Sequence, residues 1–267
     1  MNKKIEYYII LIERDDLMKA LITGASSGIG ADMARILSNR GYDLILVARR
    51  KDRLEKLKKE LKTEVEIISM DISSTFNCMK LYNKVKKQDI DIVINNAGFG
   101  LFGSFDDTDL DKELDMIDLN IKAVHILTKL FLKDFVKKDK GHILNVASSA
   151  AFQPGPLMAT YYATKVYVLH LTEAIYEELR RKNSHVYIGA LCPGPVDTEF
   201  NNVANVSFSV KSLQSYDVAS YAIKQMFKRK LIIVPSMFMK ITRFLSIISP
   251  TKLKLMIAYK IQKSKQK

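Results

Sequence analysis

The chain predicts an α/β fold, a doubly wound and mostly parallel sheet with helices on both faces. Three observations predict it. Short apolar runs alternate with longer amphipathic stretches from Met18 to Val234. The links between them are short, as right-handed strand–helix–strand crossovers require. The short runs are apolar at almost every position, as expected of strands covered on both faces.

The elements follow in order. Ala20–Thr23 reads as a strand closed by Gly24, and Ile29–Asn39 as a helix stopped at Gly41. Asp43–Ala48 is a strand, Asp52–Lys62 a polar helix and Val65–Met70 a strand. Thr75–Lys87 is a helix and Ile90–Ile94 a strand. Asp109–Lys137 is periodic throughout and reads as one long helix. Gly141–Val146 is a strand, Leu157–Lys182 a second long helix and Val186–Leu191 a strand. Ser215–Lys228 is a helix and Leu231–Val234 a short strand. Neither a short-period repeat nor a linker divides this stretch, so residues 18–235 are expected to form one domain, with an extension (1–17) before it and a basic tail (236–267) after it.

Composition bounds the rest. With 267 residues, 48% of them hydrophobic, the chain can build a sizeable core without disulfides or metals. Its two cysteines, Cys78 and Cys192, form no CxxC pair and read as buried free thiols in a reducing, cytoplasmic compartment. The histidines at 125, 142, 170 and 185 show no metal spacing. The net charge is +13, but residues 236–267 hold eight Lys/Arg and no acid, leaving only +5 for the body. So modest a charge argues against nucleic-acid binding. The apolar stretch Ile5–Ile12 is too short to span a bilayer and lacks a following small-residue cleavage site, so it reads as an extension from an upstream start codon rather than a signal peptide.

Chemistry concentrates at the ends of the strands. Thr23-Gly24-Ala25-Ser26-Ser27-Gly28-Ile29-Gly30 follows the first strand and opens the first helix. Glycines permit a tight turn and close backbone approach to a pyrophosphate, and the helix N-terminus offers free N–H groups. Ser26 and Ser27 add hydroxyl donors. The second strand ends in Ala48-Arg49-Arg50, with no acid before Asp52. An acid near here would accept from ribose hydroxyls, whereas Arg49 suits a phosphate, which favours NADP(H) over NAD(H). Asp71, with Ile72 beside it, ends the third strand. It either accepts from an adenine amino group or caps the next helix.

Tyr161 and Lys165 stand four apart on a predicted helix and share a face. A phenol of pKa ~10 is a reluctant proton donor. An ammonium within ~5 Å, at an effective dielectric of ~20, contributes ~3 kcal/mol toward the phenolate, about two pKa units. That would poise the tyrosine near pH 7–8 as acid and base. Ser148 follows the strand ending Leu144-Asn145-Val146-Ala147 and sits at the same edge. Asn120 lies inside the long helix, where asparagine is mildly unfavourable and often has a polar task.

These pieces resemble the short-chain dehydrogenase/reductase family over roughly residues 18–234. The matching motifs are TGASSGIG at 23–30, NNAG at 95–98, Asn120, Ser148 thirteen before Tyr161, YYATK at 161–165 and PGPVDT at 193–198. The resemblance implies a Rossmann-type, seven-stranded sheet in one domain and a nicotinamide cofactor. It implies that Gly24, Gly28 and Gly30, with Ile29 in the turn, shape the pyrophosphate site. Asn95 would support the central strand, and Ala97 and Gly98 lie along the adenosine ribose. Tyr161 would be the proton donor in reduction, tuned by Lys165, which also bonds the nicotinamide ribose. Ser148 would orient the carbonyl, and Asn120 would hold a water linking Lys165 to solvent. Pro193, Gly194, Val196 and Thr198 would enclose the nicotinamide. Tyr162 is one place out of register. Where Ser27 stands, many NADPH-preferring members carry a basic residue. Pairing of subunits through the two long helices, as a homodimer or homotetramer, is a further expectation.

The expected reaction is hydride transfer between NADP(H) and a small-molecule carbonyl or alcohol. A non-catalytic cofactor-binding regulator and a membrane-surface scaffold are the alternatives. Glu199–Tyr216, with weak helix signal, reads as a substrate lid containing Phe200, Val203, Val206, Phe208, Val210 and Leu213. It suits an apolar substrate, although the same residues could simply pack the lid. The tail, broken by Pro250, mixes apolar residues with cations. Such a helix lies peripherally on an anionic membrane surface or docks on the body or on another subunit.

Overall fold

A computed structural model describes residues 18–204 and 212–264; the expected extension and Val206, Phe208 and Val210 of the expected lid lie outside the described residues. The strands are β1 (Lys19–Thr23), β2 (Asp43–Ala48), β3 (Val65–Ser69), β4 (Ile92–Asn95), β5 (His142–Val146), β6 (Tyr187–Leu191), β7 (Val196–Asp197), β8 (Leu213–Gln214) and β9 (Ile232–Ile233). The helices are α1 (Gly28–Ser38), α2 (Lys51–Glu60), α3 (Thr75–Val85), α4 (Leu110–Ile117), α5 (Val124–Lys138), α6 (Ala159–Arg181), the single turn α7 (Phe200–Val203), α8 (Ser215–Phe227), α9 (Met237–Ile248) and α10 (Thr251–Lys263).

Seven strands form one parallel sheet in the order β3-β2-β1-β4-β5-β6-β9. The chain builds outward from β1 to β3, then returns to the other side of β1 with β4. That reversal opens a crevice beyond the carboxyl ends of β1 and β4, where ligands of such sheets bind.

Alternation along the strands explains why both faces are covered. Ala20, Ile22, Leu44 and Leu46 point to one side and pack with Met33 and Leu37 of α1, Leu54 and Leu57 of α2, and Val218 and Ala222 of α8. Leu21, Ile45, Val47 and Val93 point to the other and meet Leu81 and Val85 of α3, Phe131 and Phe135 of α5, and Leu179 of α6. Phe131 and Phe135 are almost fully buried, which stabilises the fold by roughly 1.5–3 kcal/mol each.

Two expectations are corrected. The stretch expected as one helix over 109–137 is interrupted by a wide π-helical segment, Asp118–Ala123, between α4 and α5. Such widenings often occur at functional sites, and this one carries Asn120. The expected lid, 199–216, holds more regular structure than its weak helix signal predicts. It contains α7, and β8 pairs in parallel with β7. The tail forms α9 and α10, with Pro250 at the N-cap of α10. Among the described residues, no helix is long and apolar enough to cross a membrane.

Candidate active site

The crevice is a cavity of about 550 Å³. One end is the glycine turn between β1 and α1. Gly24 has φ +65°, and a Cβ there would lie 2.8 Å from the Ala97 Cα. A Cβ on Gly30 would lie 2.4 Å from Asn96 Nδ2 and 2.6 Å from the Gly24 carbonyl oxygen. Side chains at these positions would collide with the β4 end. At the entry to α1 no side chain caps the backbone N–H groups, and its first turn carries no acid. Free amides and an unneutralised positive helix end facing a cavity fit the pyrophosphate of a dinucleotide.

Asn96, not among the expected site residues, staples this turn. Its Nδ2 donates to the carbonyls of Thr23 (3.0 Å) and Gly24 (3.2 Å), and the amides of Asn96 and Ala97 donate to Thr23 Oγ1. Asn95 itself stands behind the wall and donates to Thr128 of α5 and Asn145 of β5.

The cationic end departs from expectation. Arg49 lines the cavity but is largely exposed and pairs with Asp71 at 3.7 Å. Partial burial pushes the Asp71 carboxyl up, but Ser73 and Arg49 outweigh it and hold it below its usual value. Asp71 does not cap the following helix; Ser74 does. Arg50 reaches the turn instead, donating to Ser26 Oγ and Ser27 Oγ at 3.1 Å each. Glu199 holds both Arg50, at 2.8 Å, and Arg53. Arg53 and Arg50 draw the Glu199 carboxyl down to about 2, despite an opposing desolvation. The adjacency of Arg50 to Arg49 was its only signal in the sequence; Glu199 had none.

At the other end, β5, the turn after it and α6 bring three residues to one wall. Ser148, Tyr161 and Lys165 all line the cavity. The Ser148 hydroxyl stands beside the Tyr161 phenol and favours its ionisation, and it accepts from the Ala150 amide at 3.1 Å. Lys165 Nζ donates to the Val146 carbonyl at 3.0 Å and lies 5.9 Å from the Tyr161 ring centroid. The expected tuning is not what this arrangement produces. Burial pushes the Tyr161 phenol well above its usual pKa, and the group opposing this is Ser148, not Lys165. Burial also lowers the Lys165 ammonium to about 8. Desolvation is the largest influence on both groups.

Asn120 is fully buried and does not line the cavity. Its Oδ1 accepts from the Phe99 amide (3.1 Å), and its Nδ2 donates to the Phe99 carbonyl (2.9 Å) and to Thr164 Oγ1 (3.1 Å). Thr164 Oγ1 in turn donates to the Tyr161 carbonyl at 2.7 Å. The Asn120 side chain thus ties down the backbone beneath the cavity. A Cβ on Gly98 would lie 2.7 Å from Asn120 Oδ1 and 3.4 Å from Lys165 Nζ, so the glycine lets this strand end lie against both groups.

The remaining candidates fall in place around the cavity. Ser26, Ser27, Gly28 and Ile29 line the turn, Ile72 and Ala97 the middle, and Pro193, Gly194, Val196 and Thr198 the far wall. Tyr162 points toward the tail and bonds Gln262 of α10. Phe99, Phe200 and Met158 make the end beside Tyr161 apolar.

Known proteins are similar to this chain. A family model described as short chain dehydrogenase matches residues 18–207. An uncharacterised oxidoreductase of Staphylococcus epidermidis is 33% identical over 211 residues, covering 77% of this chain and 90% of that protein. The structure of a short-chain dehydrogenase from Sphingobium yanoikuyae in complex with NADPH superposes with a TM-score of 0.77 at 29% identity, covering 88% of this chain and 97% of that one. A short-chain dehydrogenase/reductase from Burkholderia phymatum in complex with NAD shares the fold at a TM-score of 0.79 and 24% identity, over 86% and 92% of the two chains. With the glycine turn, the Ser148–Tyr161–Lys165 wall and these matches together, the chain belongs to the short-chain dehydrogenase/reductase family of oxidoreductases.

Proposed function

We propose that the chain is an NADP(H)-dependent carbonyl reductase or alcohol dehydrogenase acting on an apolar substrate, with Tyr161 as its general acid and base. One observation carries this reading: Ser148, Tyr161 and Lys165 share a wall of the cavity whose opposite end is the uncapped N-terminus of α1. A bound nicotinamide supplies or accepts the hydride.

The chain's own residues supply the rest. Burial keeps the Tyr161 phenol protonated at neutral pH, so it enters a reduction as a proton donor. Ser148 and Tyr161 donate to the oxygen on which negative charge grows, and such donors act most strongly where water is excluded. Lys165, lowered to about 8, stands on the same wall as Tyr161 and holds a proton that this end of the cavity can draw on near neutral pH. Asn120 acts through Thr164 and Phe99 as a positioning residue.

The absence of an acid before Asp52 and the pair Arg49 and Arg50 support NADP(H). The aromatic and aliphatic surroundings of Tyr161 support an apolar carbonyl or alcohol. Two buried free thiols fit a reducing cytoplasm, and pairing through the long helices would make the enzyme a homodimer or homotetramer. The test is a panel of apolar and polar ketones and aldehydes, followed by the loss of NADPH absorbance with NADH in parallel. Turnover of apolar members with NADPH is expected. Tight NADPH binding without turnover of any member would favour a cofactor-binding regulator.

A further inference from the structure

Helices α9 and α10 both leave large apolar side chains exposed among the described residues. Only a narrow stripe of α10 faces inward. Lys254 donates to the Ser246 carbonyl, Ala258 is buried, and Gln262 donates to the Tyr162 hydroxyl. These positions are four apart and define one face. The outward face carries the large apolar residues, among them Met256 (60% exposed) and Ile257 (49%). Helix α9 seats Met239 against Gly194 and Arg243 over the Phe152 ring. Its outer face shows Phe238 (56%), Ile241 (53%) and Phe244 (65%). Single exposed apolar residues are ordinary; a face of them on two consecutive helices marks an interaction surface.

Charge identifies what covers it. Residues 236–267 hold eight Lys/Arg and no Asp or Glu; Lys240, Arg243 and Lys254 are engaged with the protein, while Lys252, Lys260 and Lys263 stand exposed beside the apolar side chains of α10. A symmetric contact with a second copy would lay this cationic face on itself, with no acid inside the patch to pair with. An anionic bilayer meets both demands at once, since the apolar side chains enter the acyl boundary while the lysines stay among the headgroups.

We propose that the outer face of α9 and α10 is a peripheral docking surface for an anionic lipid bilayer. The helices then lie between the bilayer and the cavity wall, touching Gly194 and Tyr162 from outside. The docking stands independently of the role assigned to Tyr161.

The test is sedimentation of the full chain with phosphatidylglycerol vesicles and, in parallel, with phosphatidylcholine vesicles. Binding to the first alone, weakened by salt, is expected. A variant combining Ile241→Ser, Phe244→Ser, Met256→Ser and Ile257→Ser removes exposed side chains only and should bind at least about tenfold more weakly. Lys252→Gln and Lys260→Gln should each cost about fivefold, from the attraction of one basic residue to an anionic surface. Circular dichroism of each variant should match the parent, and the lysine variants provide the reading should the apolar variant unfold. Failure of the full chain to bind, equal binding to both lipids, or equal binding by parent and variants would overturn the proposal. So would a parent dimer, without vesicle binding, that falls to monomers when the apolar residues are replaced, for a second copy would then cover the face.

Discussion

Replacing Asn120 with alanine probes the link between the interrupted helix and the cavity. The wild-type side chain satisfies the Phe99 amide and carbonyl and bonds Thr164 from a fully buried position. Alanine leaves the N–H and C=O of the half-buried Phe99 without partners; a fully buried group costs about 1–3 kcal/mol and these two somewhat less, so the loss should be roughly 2–4 kcal/mol. For a domain of this size each kcal/mol lowers the melting temperature by about 2–4 °C, and a fall near 10 °C is expected. Urea denaturation followed by far-ultraviolet circular dichroism measures the free energy directly. Because Thr164 connects this contact to the Tyr161 carbonyl, turnover should fall as well, even at temperatures where the variant is folded. A stability loss below about 1 kcal/mol would show that the Asn120 bonds do not hold Phe99 in place.

Three further outcomes follow from the same geometry. Gly30→Ala sets a methyl group 2.4 Å from Asn96 Nδ2; it should cost about 1–3 kcal/mol of stability, and NADPH fluorescence titration should show weaker binding, an unchanged Kd contradicting the role of the turn. Arg50→Ala removes the guanidinium from Ser26 and Ser27; if that group holds a phosphate, NADPH affinity should fall roughly tenfold, the worth of one charge-assisted bond, while NADH affinity holds. His142 is pushed down to about 4 by burial and then by Arg229. Its unfolded form takes a proton near 6.5, so as pH falls from 6.5 to 4 the unfolded chain gains a proton that the folded one declines. Stability should drop by up to about 3 kcal/mol across that window and level off below it, and His142→Asn should flatten the slope in urea titrations at stepped pH.

The sheet was legible because each strand is a continuous apolar run ended by a turn residue, and burial on both faces demands that pattern. Predicted and observed strands differ by a residue or two at their ends, as Val65–Met70 and Val65–Ser69 do. The π-helical segment was hidden, because hydrophobic periodicity runs through 109–137 and hardly registers one widened turn. Asn120 was visible as an oddity inside a helix, but its partner Phe99 is set by tertiary folding. The glycine turn and the residues of the far wall carried their own local signals. Arg50 and Glu199 did not: 149 positions separate them, and no local pattern announces their ion pair. The tuning of Tyr161 also escaped, since spacing shows that Lys165 shares its face but not that both groups are desolvated. The tail read correctly as apolar and cationic, yet only the fold shows which side faces the body.

The proposed chemistry turns on the phenol of Tyr161, and Tyr161→Phe tests it most directly. The substitution removes one oxygen from a buried ring and leaves the glycine turn and the arginines untouched. With a carbonyl substrate found in the panel, turnover should fall at least about a hundredfold, the scale of general acid catalysis, while NADPH binds within about threefold of the parent affinity. Turnover that survives the substitution at the parent rate would contradict the account.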